Sequence, residues 1–302
     1  MKEESWTIGK LIKWTTAYLS EKGIDTPRLD GEILLAHILK TDRTHLYMNL
    51  DQPLNVNELA FFRELVKRRA KREPIQYITG RQEFWSLEFK VSPKILIPRP
   101  DTELLVEEGV RELSKTFPET ARPEVLDIGT GSGALAAALA KELTGAKVTG
   151  TDISPEAVAL ARENIESNGL SANASILEGD LFLPVEGRKF HLIVSNPPYI
   201  LHADLEGLQP EVSHYEPLSA LDGGVDGLDY YRKIIPQAPR HLFPGGWLMV
   251  EHGEGQSEEV VKIFEDTAKF ENIEEVKDLA GVLRVVKGKV KNKTYSISPF
   301  LL

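Results

Sequence analysis

The sequence predicts an α/β protein, in which a small helical bundle precedes a mostly parallel sheet of seven strands with one antiparallel strand. Apolar residues recur at helical spacing through residues 5–72. From about residue 100, short apolar runs alternate with amphipathic helices, and a glycine-rich turn follows the first run. This alternation predicts parallel strands joined by crossover helices, with helices on both faces of the sheet.

Composition narrows the class of protein. The length of 302 residues predicts one core and an appended module, and contents of 41% hydrophobic and 27% charged residues are typical of a globular protein. No apolar run is long enough to cross a membrane, and the amino terminus lacks a secretory signal, so no membrane association is expected. The absence of cysteine agrees with a cytoplasmic location. The net charge of −10 argues against a nucleic-acid substrate.

Three domains are predicted along the chain. Residues 1–80 are assigned to the helical domain, with helices punctuated at Gly23, Pro27 and Pro53 and a third helix near residues 55–72. The basic run at residues 67–72 is interpreted as the end of that helix. Residues 81–98 contain an aromatic and β-branched segment that predicts a hairpin linker, and residues 99–302 form the α/β domain.

The elements of the α/β domain follow from its periodicity. Strands are predicted near residues 123–128, 146–151, 173–178, 190–195, 245–252, 271–278 and 282–288. Helices are predicted at about residues 101–116, 132–143, 155–167, 227–241 and 257–269. Too few residues separate the last two strands for a helix, so these strands should form a hairpin, which introduces the antiparallel strand.

The turn after the first strand predicts a nucleotide-like ligand. Glycines at 129, 131 and 133 allow a sharp turn and close approach of a ligand, and Thr130 and Ser132 lie between them. No Lys-Ser/Thr pair follows, so this is not a P-loop. Asp127 ends the strand and is placed to hold an ammonium group.

Two further acidic residues are candidate ligand contacts. Asp152 ends the second strand, 21 positions beyond Gly131, where a carboxylate can accept hydrogen bonds from both ribose hydroxyls. A helix cap is the alternative for Asp152, although Ser154 already suits that position. Asp180 and Leu181 follow the third strand, where a carboxylate and an apolar side chain suit adenine; a surface turn is the alternative.

The most specific motif is Asn196-Pro197-Pro198-Tyr199, which directly follows the buried strand at 190–195. The prolines stiffen the backbone and so fix the Asn196 side chain and the Pro197 carbonyl. Two oxygen acceptors beside an aromatic ring suit a planar NH₂ group. Asn196, Pro197 and Tyr199 are therefore the predicted catalytic residues, Pro198 joins them in substrate binding, and Asn196 also faces the cofactor.

Together, these motifs resemble the amino-type class I S-adenosylmethionine methyltransferases. More narrowly, the chain resembles the peptide chain release factor glutamine methyltransferases (the PrmC or HemK family) over roughly residues 25–288. The matching segments are Glu73 to Gly80, Phe84-Trp85, Leu96 to Glu103, Ser195 to Ile200, Glu216-Pro217, Ala220-Leu221, Gly227-Leu228 and Glu251-His252-Gly253.

The resemblance implies a five-helix domain that helps hold a release factor, a β-hairpin joint and a Rossmann-like catalytic domain. It implies S-adenosyl-L-methionine as the cofactor, S-adenosyl-L-homocysteine as the product and no metal. It also implies a substrate, the glutamine of the Gly-Gly-Gln motif in class 1 peptide chain release factors, methylated on N5. Leu181 stands where some relatives carry an aromatic residue beside adenine.

The expected chemistry is an in-line methyl transfer to an amide nitrogen. The Asn196 and Pro197 oxygens accept the two N–H bonds and direct the nitrogen lone pair at the sulfonium methyl, while Tyr199 covers the amide. No strong general base is needed, and none is recognised beside the motif. Arg99 to Glu103 form either a wall over the methionine part of the cofactor or a helix cap.

Three alternatives compete with this assignment. A nucleic-acid amino methyltransferase, acting on adenine N6 or cytosine N4, shares the Pro-Pro-Tyr chemistry but disagrees with the acidic charge. An NAD-dependent dehydrogenase explains the glycine turn and Asp152 but gives Asn196 no role. A non-catalytic adaptor is disfavoured by the complete set of site residues.

Overall fold

The computed structural model of this protein describes residues 5–117 and 122–292. Parts of the predicted helical and catalytic domains, residues 1–4, 118–121 and 293–302, lie outside the described residues. The chain divides into two compact units. The first unit comprises the residues up to Arg81 together with Leu208–Tyr215, and the second comprises Gln82–Gly207 and the residues from Glu216 onward. The sequential domains predicted from the sequence did not anticipate that residues 208–215 belong with the helical unit.

Helices account for most of the first unit and alternate with strands in the second. The helices of the described residues are α1 (Ile8–Glu21), α2 (Pro27–Leu39), α3 (Arg43–Met48), α4 (Val56–Ala70), α5 (Ile75–Thr79), α6 (Glu103–Thr116), α7 (Ala134–Glu142), α8 (Pro155–Ser167), α9 (Pro210–Ser213), α10 (Asp229–His241) and α11 (Ser257–Asp266).

The strands belong to two sheets. They are β1 (Arg81–Phe84), β2 (Leu87–Lys90), β3 (Glu124–Ile128), β4 (Lys147–Asp152), β5 (Ala174–Glu178), β6 (Phe190–Ser195), β7 (Leu242–Glu251), β8 (Phe270–Lys277) and β9 (Leu283–Val290).

The first unit is a bundle of α1 to α5 around its own apolar core, with α9 in the added segment. Local capping explains where its helices begin. The Asp42 side chain accepts from the His45 amide at the start of α3, and Asn55 and Glu58 form a reciprocal capping box at the start of α4. Leu19, Leu34, Leu46 and Phe62 are fully or almost fully buried in the core.

The basic run at the end of α4 is largely occupied by ion pairs. Arg69 Nε lies 2.6 Å from Asp30 Oδ2, and Arg69 Nη1 lies 2.9 Å from Glu211 Oε1. Arg72 pairs with the other oxygen of Glu211, at 2.7 Å. Arg68 pairs with Glu73. The interpretation of the run as a helix end is confirmed because α4 ends at Ala70, and its arginines pair with carboxylates of their own unit.

The second unit contains a seven-stranded sheet in the order β5-β4-β3-β6-β7-β9-β8. The pairs β3–β4, β3–β6, β4–β5 and β6–β7 are parallel, whereas β9 is antiparallel to both β7 and β8. The predicted sheet, with a single antiparallel strand formed by a terminal hairpin, is therefore confirmed. Neighbouring strand residues face opposite sides, so Val125 enters the core beneath α6 to α8 and Leu126 the core beneath α10 and α11.

The hairpin β1–β2 turns through Trp85 and Ser86, which both have positive φ, 52° and 54°. Positive φ at both central positions is the geometry of a tight hairpin turn, but most side chains avoid it. Three hydrogen bonds secure the turn at Trp85. Its amide donates to Glu103, its indole donates to Glu142 and its carbonyl accepts from Lys141.

Candidate active site

A cavity of about 400 Å³ lies at the carboxyl ends of the parallel strands in the second unit. This is the edge at which open α/β sheets bind ligands, beside the point where the strand order reverses on either side of β3. Ten of the predicted site residues line it, namely Gly129, Thr130, Gly131, Ser132, Asp152, Asp180, Leu181, Asn196, Pro197 and Pro198. Asp127, Gly133 and Tyr199 do not line it, in contrast to the prediction.

Four backbone amides of the glycine turn are hydrogen-bonded to other protein groups. Gly129, Gly131 and Gly133 all have positive φ, which explains the residue type at each position. The amides of Gly129 and Thr130 donate to the Thr151 carbonyl, that of Gly133 to the Thr130 carbonyl, and that of Gly131 to Asp152. Few donors of this turn remain for an anionic ligand.

Asp127 lies beneath the turn instead of on the cavity wall. Its Oδ2 accepts from Thr130 Oγ1 at 2.6 Å and from the Ala136 amide at 3.2 Å, while its buried Oδ1 has no hydrogen-bond partner. Complete burial raises the pKa of this carboxyl to about 7. Asp127 therefore occupies the amino terminus of α7 and supports the turn, which corrects the expectation of a direct contact with a ligand.

Gly133 also serves packing. A Cβ at this position would lie 3.1 Å from the Cβ of Ala161, so the glycine permits close contact with α8. Asp152, by contrast, lines the cavity while its two oxygens accept from the Gly131 and Ser154 amides, each at 2.9 Å. Its carboxylate is fixed by the backbone, and each oxygen retains a further acceptor site.

The far end of the cavity contains Asp180, Leu181 and an aromatic residue that the sequence analysis missed. Asp180 is exposed, and Leu181 has a positive φ of 47°. Tyr230, from the first turn of α10, lines the same cavity close enough to Asp180 and Asp152 for both carboxylates to raise its pKa, after burial as the largest cause. Tyr230 thus adds an aromatic side chain to the part of the cavity that Leu181 lines with an apolar one. Only the fold reveals this role of Tyr230, because no sequence motif marks it.

The Asn196 carboxamide has a defined orientation. Its Nδ2 donates to Thr102 Oγ1 at 2.9 Å, and both residues line the cavity. Because the nitrogen is occupied, the oxygen Oδ1 is the group available to a ligand. The preceding strand is held in register, since Ser195 Oγ donates to the Ile128 carbonyl of the adjacent strand.

Tyr199 anchors the motif from behind the cavity. Its carbonyl accepts from Gln256 Nε2 at 2.8 Å, and a Cβ at Gly253 would lie 3.1 Å from its ring. The ring packs against the core beneath α10 and α11, and burial raises the pKa of its phenol to about 12. The glycine at 253 therefore lets the ring pack closely against the backbone there. The expectation that this ring covers the ligand is not matched by its position outside the cavity lining.

Glu251, at the end of β7, is a second residue whose role the sequence analysis missed. Its side chain is buried, and its Oε2 has no hydrogen-bond partner. Burial raises the pKa of this carboxyl to about 7, and hydrogen bonding with Thr102 and Asn196 opposes the rise. Glu251 is thus an acidic residue near the motif that the sequence analysis did not recognise, but it does not line the cavity, so the expectation that no general base acts there stays a prediction.

The segment 99–103 forms part of the cavity wall. Arg99 and Thr102 line it, and the Arg99 guanidinium is paired with the buried Glu216. Glu216 also accepts from the Ile97 amide. No side-chain hydrogen bond from Thr102 caps α6, which favours the wall over the helix cap.

Two negative findings concern the described residues. Residues 5–117 and 122–292 contain no group of three or more histidine, aspartate or glutamate side chains that could hold a metal ion. Within the same ranges, no helix combines the length and apolar character needed to span a bilayer.

The fold and the cavity define a methyltransferase of the class I α/β type. The methyltransferase small domain matches residues 103–210. A solved methyltransferase from Pyrococcus furiosus is 23% identical, with a TM-score of 0.51 over 75% of this chain and 98% of that chain. At this identity the likeness shows the fold alone.

Closer relatives show the family. The PrmC N-terminal domain matches residues 10–80. The release factor glutamine methyltransferase of Geobacter sulfurreducens is 54% identical, over 96% of this chain and 99% of the relative. The release factor glutamine methyltransferase of Koribacter versatilis is 43% identical, over 94% of this chain and 98% of the relative. The chain therefore belongs to the release factor glutamine methyltransferase family, as its motifs predicted.

Proposed function

We propose that this protein transfers the methyl group of S-adenosyl-L-methionine to the N5 amide nitrogen of the glutamine in the Gly-Gly-Gln motif of class 1 release factors. Family membership supports the reaction and the class of substrate. The observation that carries the chemistry is the Asn196 carboxamide, whose nitrogen is bonded to Thr102 so that its oxygen is free for the amide of the substrate.

The cavity suits S-adenosylmethionine better than a dinucleotide. The glycine-turn amides are bonded internally, and the buried Asp127 carboxyl already occupies the amino terminus of α7. A pyrophosphate would therefore find few free amides at this helix end. S-Adenosylmethionine has no phosphate. In the proposed complex, Asp152 accepts from the ribose hydroxyls, while Asp180, Leu181 and Tyr230 surround the adenine.

The proposed reaction is a single displacement. The substrate nitrogen attacks the methyl carbon, the carbon–sulfur bond breaks, and the sulfur keeps the electron pair as the neutral thioether of S-adenosylhomocysteine. The amide nitrogen becomes transiently cationic and then loses one proton to solvent. Asn196 Oδ1 and the Pro197 carbonyl accept hydrogen bonds from the N–H groups of this nitrogen. These hydrogen bonds orient its lone pair and stabilise the developing positive charge.

The remaining predicted features are part of this proposal. Residues 1–80 would help hold the release factor, residues 81–98 would form the joint, and residues 99–302 would carry out catalysis, in the cytoplasm where translation factors act. The family match over residues 10–80 supports the first assignment. Paired arginines at the end of α4 give no support to nucleic acid as a substrate.

Incubation of the purified protein with a class 1 release factor and labelled S-adenosylmethionine tests the function. We expect one methyl group on the Gly-Gly-Gln glutamine, located by mass spectrometry of the digested factor. A release factor with that glutamine replaced by alanine is the control and should remain unlabelled. Label on DNA or tRNA, with none on the release factor, would contradict the proposal.

A further inference from the structure

The buried carboxyl of Glu251 requires an explanation. Removing a carboxyl from water costs free energy unless its partners compensate, and here Oε2 has no partner. Among the groups that interact with the side chain are the Thr102 hydroxyl and the Asn196 carboxamide, both of which line the cavity. Glu251 thus lies directly behind the group that is proposed to receive the substrate amide.

The donors and acceptors in this cluster have one consistent direction. Asn196 Nδ2 donates to Thr102 Oγ1. The single hydroxyl proton of Thr102 is then available for the Glu251 carboxylate, which only accepts when ionised. A flipped Asn196 would turn its oxygen towards Glu251, so two acceptors would face each other. The cluster therefore holds the Asn196 oxygen towards the cavity.

We propose that Glu251 and Thr102 are positioning residues for methyl transfer, which fix and polarise the Asn196 carboxamide so that its oxygen accepts from the amide of the substrate. The inference rests on the proposed function and extends it beyond the Asn-Pro-Pro-Tyr motif. A carboxylate behind the Asn196 nitrogen draws positive charge towards the NH₂ group and leaves the oxygen more negative. A more negative oxygen stabilises the cationic nitrogen of the transition state better.

The ionised carboxylate is the form that acts, so turnover should depend on pH. Other charged and titratable groups near Glu251 are Asp101, Arg284 and Tyr199. The Tyr231 hydroxyl donates to the Glu251 backbone carbonyl, and burial lowers the pKa of the neighbouring His252. Among these groups, Glu251 is the one whose ionisation increases the negative charge beside Asn196 near neutral pH.

The test compares Glu251→Gln, Thr102→Val and Thr102→Ser with the unmodified enzyme. Methyl transfer to the release factor is measured at saturating cofactor from about pH 5.5 to 8.5, a range that lies on both sides of the raised Glu251 pKa of about 7. We expect kcat to fall about 10- to 100-fold in Glu251→Gln and Thr102→Val, and Thr102→Ser, which keeps the hydroxyl, to stay within about threefold. The affinity for S-adenosylmethionine should change less than about threefold.

The pH profile distinguishes positioning from a structural role. In the unmodified enzyme kcat should rise as Glu251 ionises, and Glu251→Gln should lose that rise while Thr102→Ser keeps it. Normal kcat in both Glu251→Gln and Thr102→Val would overturn the inference. If Glu251→Gln does not fold, equal kcat in Thr102→Val and Thr102→Ser is by itself sufficient to overturn the inference. An unmodified enzyme that never methylates the glutamine would contradict the proposed function instead.

Discussion

Asn196 presents an oxygen to the cavity because its nitrogen is already bonded to Thr102. A primary amide has two donors and one weakly basic nitrogen, so a site that methylates it must accept hydrogen bonds without donating any to that nitrogen. Asn196 Oδ1 and the Pro197 carbonyl meet this requirement, and proline contributes no backbone donor of its own. Selectivity for an amide thus depends on placing hydrogen-bond acceptors, and no donors, beside the substrate nitrogen at Asn196 and Pro197.

Replacement of Asn196 by alanine tests the acceptor directly. We expect kcat for release factor methylation to fall by about 10²-fold or more, because one oriented polar group is lost from the transition state. Cofactor affinity, measured by calorimetry, should change little. Near-normal turnover in Asn196→Ala would show that another group orients the amide.

Asp152 is expected to control cofactor affinity. Asp152→Ala removes the proposed acceptor for the ribose hydroxyls and should weaken S-adenosylmethionine binding by about 1.5–3 kcal/mol, as for a charge-assisted hydrogen bond. Titration calorimetry measures the change. Because Asp152 also accepts from the Gly131 and Ser154 amides, the thermal unfolding of the free protein must be compared. Unchanged affinity would remove Asp152 from the ribose site.

Asp127 should make folding stability depend on pH. Its pKa is raised by burial from 3.8 to about 7, so the folded state prefers the protonated form. Its contribution is full below about pH 4 and is lost as the pH rises through 7, by about 1.4 kcal/mol for each unit of pKa shift. Relative to Asp127→Asn, the unmodified protein should lose stability from pH 4 to 8 in urea denaturation. Parallel stability curves would show that Asp127 is not buried in this way.

At the scale of elements, the sequence predicted those with strong periodicity and missed the short ones. Strands β3 to β6 begin and end within one residue of the prediction, and short apolar runs explain this agreement for β3 and β6. Helices α3 and α5 have six and five residues, too few for a helical pattern. The β1–β2 turn was also hard to predict, since Trp85 and Ser86 adopt positive φ without the usual glycine or asparagine.

Gly150 in β4 packs closely against Thr130 of the glycine turn. A Cβ at Gly150 would lie 2.8 Å from Thr130 Oγ1 and 3.0 Å from Thr130 Cβ. Gly150→Ala should therefore displace the turn, lower the free energy of unfolding by about 1–3 kcal/mol and weaken cofactor binding. Gly207→Ala, where nothing lies within 4 Å, is the control and should change stability by less than about 0.5 kcal/mol. Equal effects in both variants would contradict this packing argument.

At the scale of the whole molecule, the sequence predicted the cavity because its main residues follow parallel strands. Carboxyl ends of such strands meet at one edge, so Gly129, Asp152, Asp180 and Asn196 could be grouped without coordinates. The roles of Thr102, Tyr230 and Glu251 depend on tertiary contacts and could not be read in this way. The family resemblance had identified the segments containing Thr102 and Glu251, but no pattern in those segments indicates which side chain faces which.

The ion pairs of the first unit give a prediction about its integrity. Arg69 is 8% exposed and joins Asp30 to Glu211, two carboxylates that lie far apart in the sequence. Arg69→Met leaves a buried Asp30 without its cation and should cost about 3–5 kcal/mol in chemical denaturation. Arg68→Met breaks an exposed pair and should cost less than about 1 kcal/mol.

Hydrogen exchange gives a second measurement on the same variants. Residues 208–215 should exchange faster in Arg69→Met, because Glu211 loses one of its two arginine partners and retains only Arg72. Similar exchange in both variants would mean that the Arg69–Glu211 pair does not hold the segment.

Because eight residues of the helical unit are inserted between Gly207 and Glu216, its polypeptide is discontinuous. A fragment that stops at Arg81 would lack Glu211, which pairs with both Arg69 and Arg72, and a fragment that starts there would carry Glu211 without its arginines. Chimaeras that exchange helical units between relatives must therefore transplant two stretches together. Random recombination with one crossover would separate side chains that depend on each other.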